Sequence, residues 1–168
     1  MMEIGLSLGS NLDDRLKNLK QAKEKISGLP EVEIIKNSPV YETEPVGVRA
    51  EFENKQFLNA VLIINCKLEI KHLSSSLRAI ETEMGRTRDN SRNNPRIIDI
   101  DIIYAGQMTI RQPDLIIPHP RWKERRFVLQ PLADVRPELL IPGEKRPVKK
   151  LLLSLPETPK VVPYKDRW

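Results

Sequence analysis

Residues 3–8, EIGLSL, alternate apolar and polar positions and predict a β-strand. Leu12, Leu16, Leu19, Ala22 and Ile26 then recur at helical spacing, with Asp13 and Asp14 in the first turn and Gly28 placed to end the helix. EVEIIKN (31–37) predicts a second strand. The stretch 38–55 mixes Pro, Gly and charge and predicts a long exposed loop after Tyr41. FLNAVLIINC (57–66) is apolar on both faces and predicts a central strand. Ile70, Leu73, Leu77, Ile80 and Met84 mark a second helix, closed by Gly85. RTRDNSRNNPR (86–96) has no apolar residue and reads as a loop. RIIDIDIIY (96–104) reads as a strand. The order β-α-β-β-α-β predicts an α+β fold, a ferredoxin-like sandwich with an antiparallel sheet. The C-terminal third is Pro-rich: a short helix near 121–126, a helix over 147–155 and a loosely ordered tail from Pro156. With no repeat or linker, residues 1–168 read as one domain.

The strand 96–104 poses a chemical question. Period-two alternation places Ile98, Ile100, Ile102 and Tyr104 on one face, and Asp99 and Asp101 on the other with Ile97 and Ile103. The two aspartate Cα atoms would stand about 6.5–7 Å apart. Carboxylates that close repel, and buried unpaired charge is costly. Either a hard divalent cation such as Mg²⁺ sits between them, or the pair is met by nearby arginines or by solvent on an edge strand.

Composition narrows the classes. Hydrophobic residues make up 39% of the chain and charged residues 30%, an ordinary soluble balance. The formal net charge of +5 favours an anionic partner. The single cysteine, Cys66, excludes an intrachain disulfide and suits a core position. No run approaches the roughly 18 apolar residues of a membrane span, and the start MMEIGLSLG has no basic segment, so a cytoplasmic protein is expected.

Arg86, Arg88, Arg92 and Arg96 lead straight into the two aspartates. Arginine forks suit phosphate oxygens, and acids for metal beside arginines for phosphate are the equipment of phosphoryl transfer. A solvated charged loop is the alternative. Phe57 and Asn59 share a strand face, where one offers stacking and the other a donor and an acceptor for a flat heterocycle; a core Phe and a satisfied Asn are the alternative. His119 stands in PHP close to Arg121, Arg125 and Arg126. A phosphate contact and a structural role both fit it. A phosphate-gripping reading of the GSN turn at 9–11 lacks a P-loop's lysine and spacing, and capping of the following helix by Ser10 or Asn11 explains the turn.

Taken together, LSLGSNL, YETEPVG, FLNAV, MGRTR followed by NPRIIDIDII, IPHPR, RFVLQPL and PEL resemble, in order and spacing, the 6-hydroxymethyl-7,8-dihydropterin pyrophosphokinase family of folate biosynthesis. The resemblance implies a ferredoxin-like fold and transfer of pyrophosphate from ATP to the pterin hydroxymethyl group, releasing AMP, with two Mg²⁺ ions. It implies Asp99 and Asp101 as metal ligands, with Arg86 and Arg96 as catalytic arginines on the ATP phosphates. It implies Glu81, Arg88, Arg92, Ile102, His119 and Arg125 as further ATP-side residues. On the pterin side it implies stacking by Phe57 and Phe127, edge recognition by Asn59, and a pocket closed by Thr43, Pro45 and Val46. Small-molecule substrates, no nucleic acid, no membrane and a monomer are expected from it. The chain departs from some members at Phe57 (often tyrosine), Arg78 (glutamine), Asn93 (tryptophan) and Asn94 (glycine or alanine).

Two other classes fit less well. A nucleotidyltransferase sets its acid pair about one short helix after a GS turn, whereas Ser10 and Asp99 here are separated by two predicted helices and two strands. An RNA-binding sheet needs stacking aromatics on its strands, and aromatics are only 5% of this chain.

Overall fold

The computed structural model describes residues 1–45, 55–86 and 95–168. Strands β1 (Met2–Ser10), β2 (Val32–Asn37), β3 (Val40–Thr43), β4 (Phe57–Cys66), β5 (Asp99–Ala105) and β8 (Val161–Lys165) form one sheet. Its order is β5-β1-β4-β3-β8, and β2 pairs with the same edge of β4 as β3 does. Every pairing is antiparallel. The order through β5 is the predicted βαββαβ with one added strand, β3, and the central place of 57–66 is the one the pattern predicts.

Helix α1 (Arg15–Ser27) and helix α2 (Ile70–Glu83) bury Leu19, Ala22, Ile26, Leu73 and Leu77 against Ile4, Leu6, Leu8, Leu58 and Leu62. Each Leu or Ile side chain so removed from water contributes about 1.5–3 kcal/mol. Gly85 closes α2 in the left-handed region, φ +94°, where a side chain would be strained. The cap of α1 differs from the expectation. Asp14, not Ser10 or Asn11, accepts from the Lys17 backbone N–H at 3.0 Å. Ser10 instead accepts from buried Asn18 at 3.1 Å, which ties the end of β1 to α1.

Beyond a hairpin that packs with the α1–α2 cluster, the chain after β5 covers much of the other sheet face. The hairpin of β6 (Ile110–Gln112) and β7 (Leu115–Ile117) is followed by a 3-10 turn, Trp122–Glu124, then α3 (Arg126–Val135) and α4 (Val148–Ser154). The expected helix near 121–126 is thus only a turn, and the main helix begins where it was expected to stop. Leu129, Leu132, Val148 and Leu151 pack on Val61, Ile63, Ile103 and Tyr104.

Three further expectations are corrected. Strand β3 runs past Tyr41 to Thr43, into the segment expected to be a loop, because β4 offers its N-terminal half as a template. The tail from Pro156 is ordered into β8 and ends against the fold: the Trp168 indole donates to the Ser38 carbonyl at 2.8 Å. Tyr104 is not on the face of Ile100 and Ile102. The β1–β5 register shifts between Gly5 and Leu6, leaving Ile103 as an extra residue. The bulge turns Tyr104 to the side of Ile103. Its ring lies over Gly5, where a Cβ would come within 2.3 Å of it, and its hydroxyl donates to Glu3 at 2.7 Å.

Candidate active site

A row of residues crosses the sheet at one end. Asp99 lies opposite Gly9, Gly9 opposite Asn59, and Asn59 opposite Tyr41. Asp101 lies opposite Ser7 one step along. Directly opposed residues in antiparallel strands project to the same side. The carboxylates of β5 and the carboxamide of β4 therefore face one space, on the side where α3 packs. Gly9 keeps that space open: a Cβ there would lie 3.1 Å from Asn59 Oδ1 and 3.9 Å from Phe57 Cδ1.

The amide of Asn59 is oriented by its neighbour. Its Nδ2 donates to Thr43 Oγ1 at 2.7 Å, with both residues buried. Oδ1 is left facing the open position above Gly9 as an acceptor. Phe57 shares this strand face, and Thr43 lies opposite it on β3. Pro45 follows Thr43 at the edge of the described chain.

At the β5 end, Asp99 is bridged by both expected arginines. Arg86 Nη1 reaches Oδ1 at 2.6 Å and Arg96 Nη1 reaches Oδ2 at 2.6 Å. Arg86 also donates to Glu81. Glu81 is 4% exposed and accepts from the Ile100 N–H at 2.7 Å. Burial pushes its carboxyl up to about 7, against the pull of Arg86. Asp101 is met less closely, by His119 Nε2 at 3.8 Å and Arg125 Nη1 at 3.7 Å. Its carboxyl is raised by desolvation and by the charge of Asp99. The two explanations of the acid pair thus divide between its members. Asp99 is salt-bridged to Arg86 and Arg96, whereas His119 and Arg125 stand beyond hydrogen-bond distance of Asp101.

His119 is oriented from both sides. Its backbone N–H donates to the Ile103 carbonyl, and its Nδ1 accepts from the Arg121 N–H at 3.1 Å. The neutral ring therefore carries its proton on Nε2, on the side of Asp101. Burial, then Arg125 and Arg121, push its pKa down to about 4. The Arg125 guanidinium also lies 5.5 Å from the centroid of the Phe127 ring at the start of α3.

Beside Asp101 a cavity of 270 Å³ opens between α2, β5 and the β6–β7 hairpin. Leu77, Ile100, Ile102 and Leu115 give it apolar walls, and Arg78 and His119 give it polar ones. Arg78 spans its mouth, donating to the Asp114 carbonyl. The hairpin that completes this cavity is not legible in the sequence, since its three-residue strands are too short to show periodicity.

Of the expected site residues, Val46, Arg88 and Arg92 lie outside the described residues, as do Asn93 and Asn94. One contributor was missed. Asn11 Oδ1 accepts from the Arg96 N–H at 2.8 Å, and the Asn11 N–H donates to the Arg96 carbonyl at 3.2 Å. The GSN turn therefore holds the end of the arginine segment. Only the position of Asn11 in LSLGSNL hinted at a role beyond the cap.

The donor set suits a hard cation. Among the described residues no three His, Cys, Asp or Glu side chains gather for a metal. Two neighbouring carboxylates do face one space, and burial disfavours the charge of Asp101. Mg²⁺ takes one or two carboxylates and fills its octahedron with phosphate oxygens and water.

The family model for 7,8-dihydro-6-hydroxymethylpterin-pyrophosphokinase (HPPK) matches residues 5–137. The chain belongs to this family. It is 35% identical over 156 residues to the 2-amino-4-hydroxy-6-hydroxymethyldihydropteridine pyrophosphokinase of Pseudomonas aeruginosa, covering 93% of each chain. It is 41% identical over 130 residues to the enzyme of that name from Bacillus subtilis, covering 77% of this chain and 75% of the relative. Longer relatives exist: the chain spans 18% of the folic acid synthesis protein fol1 of Pneumocystis carinii. A crystal structure of Plasmodium falciparum HPPK-DHPS with pteroate shares the fold, with a TM-score of 0.70 at 17% identity over 90% of this chain and 42% of that one. The HPPK reaction is pyrophosphoryl transfer from ATP to hydroxymethyldihydropterin in folate biosynthesis, and the chain is a transferase of this kind. Strand β8 lies beyond the matched residues yet belongs to the same sheet.

Proposed function

We propose that the transfer takes place across the Asp99–Gly9–Asn59 row, with ATP at the β5–α2 end and the dihydropterin at the β4–β3 end. The row itself is the observation that carries this reading. It sets charge-handling groups and a heterocycle-reading amide two strands apart, about 10 Å, with no side chain between them.

At the ATP end, the base and ribose take the cavity walled by Leu77, Ile100 and Ile102. Arg86 and Arg96 pass from Asp99 to phosphate oxygens, whose fork geometry they match. Arg88, Arg92 and Arg125 add charge along the polyphosphate. Neutral His119 donates from Nε2. Asp99 and Asp101 would hold two Mg²⁺ ions, whose charge would offset that developing on the transferred group. Glu81 holds Arg86 in reach from the far side.

At the pterin end, Phe57 and Phe127 stack on the ring and Asn59 Oδ1 accepts from a ring donor. Thr43, Pro45 and Val46 close the pocket. The hydroxymethyl oxygen gives up its proton to water and forms a bond to the β-phosphorus as the bridge to the α-phosphate breaks, and AMP departs with the bridging oxygen.

Product analysis tests the reading. The protein is incubated with ATP, Mg²⁺ and 6-hydroxymethyl-7,8-dihydropterin, and AMP is resolved from ADP. Pterin-dependent AMP supports it. ADP would place the attack at the γ-phosphorus, and no nucleotide consumption would overturn the assignment.

A further inference from the structure

The strand that carries Thr43 is weakly held by its own ladder. β3 pairs with β4 through only Tyr41, Glu42 and Thr43. Three pairings are a short ladder, and a slip of one residue would turn Thr43 to the opposite face. Asn59 would then lose the hydroxyl that orients its amide.

Inside the residues matched to the family, Tyr41 donates to Asp134 at 2.5 Å and Glu42 pairs with Arg15 at 2.8 Å, and a second set of holds on β3 comes from outside them. On its outer edge β8 pairs Thr43 with Val161, Glu42 with Val162, Tyr41 with Pro163 and Val40 with Lys165. The segment is anchored at its far end by Trp168. The indole Nε1 donates to the Ser38 carbonyl at 2.8 Å, at the junction between β2 and β3. Lys23 of α1 donates to the Trp168 main-chain oxygen at 2.7 Å and to Asn37 Oδ1 at 3.3 Å. The same ammonium sits 4.8 Å from the centroid of the indole ring. Ser38 in turn bridges to β4, donating its N–H to the Val61 carbonyl and accepting the Val61 N–H on Oγ, each at 2.9 Å. Pro163 and Lys165 are features that keep an edge strand from pairing further, so β8 acts inward on β3.

We propose that the segment Val161–Trp168 is a positioning element for the pterin pocket: anchored by Trp168 on Ser38 and Lys23, it sets the register of β3 and so the meeting of Thr43 with Asn59. This rests on the reading of the β4–β3 end as the pterin side. Arg86, Asp99 and the cavity lie at the other end of the sheet order, so their geometry does not pass through β3.

The test is steady-state kinetics of Trp168→Phe and Trp168→Ala, varying ATP and the dihydropterin separately. Trp168→Phe keeps an aromatic ring beside Lys23 and removes only the N–H to Ser38. It is expected to raise the KM for dihydropterin about five- to tenfold, the factor carried by one lost neutral hydrogen bond, with the KM for ATP held within about twofold. Trp168→Ala is expected to raise it further; if that variant does not fold, Trp168→Phe decides. Combined with Thr43→Val, Trp168→Phe should add less than its separate factor, because both act on one contact. An unchanged pterin KM, both KM values rising in step, or fully multiplicative effects would overturn the proposal. Wild-type protein that makes no pterin-dependent AMP would overturn the underlying reading as well. Wild-type turnover with an unmoved pterin KM in the variants would overturn this inference alone.

Discussion

The Arg86 guanidinium stands 2.6 Å from the Asp99 carboxylate, joined to the acid that the family resemblance makes a metal ligand. The arginine is partly buried, with 23% of its side chain exposed, and Glu81 grips it from the other side. It is thus held in place before any phosphate arrives. Arg86→Ala should lower kcat by about 10²–10³, the usual effect of removing one preorganised charge-stabilising donor, with a smaller change in ATP affinity. Pre-steady-state rates beside nucleotide binding by calorimetry separate the two. A loss confined to ATP affinity would refute the role.

Asp101 is the less closely paired of the two acids, and its charge is disfavoured in the folded state. Asp101→Asn should abolish turnover, yet leave the ligand-free protein as stable as before or more so. The gain is at most about 1 kcal/mol, because the side chain is 40% exposed and solvent screens the repulsion. Thermal unfolding without ligands and a Mg²⁺ titration of activity check both halves. A clear fall in stability would show that Asp101 stabilises the fold.

Glu81 makes a pH prediction with a definite sign. Its carboxyl is raised from an ordinary value of 4.5 to about 7 in the folded state. The folded chain therefore binds a proton that the unfolded chain has released, and stability falls as pH rises towards 7. Glu81→Gln removes this dependence. Wild type and variant should match near pH 5, and the variant should be more stable by about 1–3 kcal/mol near pH 8. Denaturant unfolding at the two pH values measures the difference; a gap independent of pH would contradict it.

Gly9→Ala tests the open position in the row. The added methyl would sit 3.1 Å from Asn59 Oδ1, and Asn59 is held by Thr43 and has little room to yield. The fold should survive, since the methyl points into the site. The KM for dihydropterin should rise about tenfold or more, the scale of one misplaced contact in a close-fitted pocket, with the KM for ATP little changed. Kinetics with each substrate varied in turn would show whether the ATP side is spared.

Much of the site was legible because its signals are local. Asp99 and Asp101 in an apolar strand contradict the usual strand composition, and such contradictions mark chemistry more often than packing. The arginines beside them lie within fifteen residues in the chain. Phe57 and Asn59 share a face by period-two alternation, which the register bears out. What the pattern could not carry was contact between distant segments. The clasp of Asn11 on Arg96 joins residues far apart in sequence, and a buried asparagine in a turn looks the same whether it caps a helix or holds a loop.

Periodicity and spaced motifs are properties of the chain alone, and they suffice for the βαββαβ order, the central strand 57–66 and the family. Those rules yield where distant parts of the chain compete with them. A one-residue bulge at Ile103 moved Tyr104 to the other face, because pairing with β1 and the space above Gly5 outweighed simple alternation. Residues 161–165, short, proline-bearing and without alternation, became a strand because β3 offered them an unpaired edge. Backbone hydrogen bonds to a template do not depend on the side chains that a sequence pattern reads, and for that reason the strand beside β3 was visible only in the folded molecule.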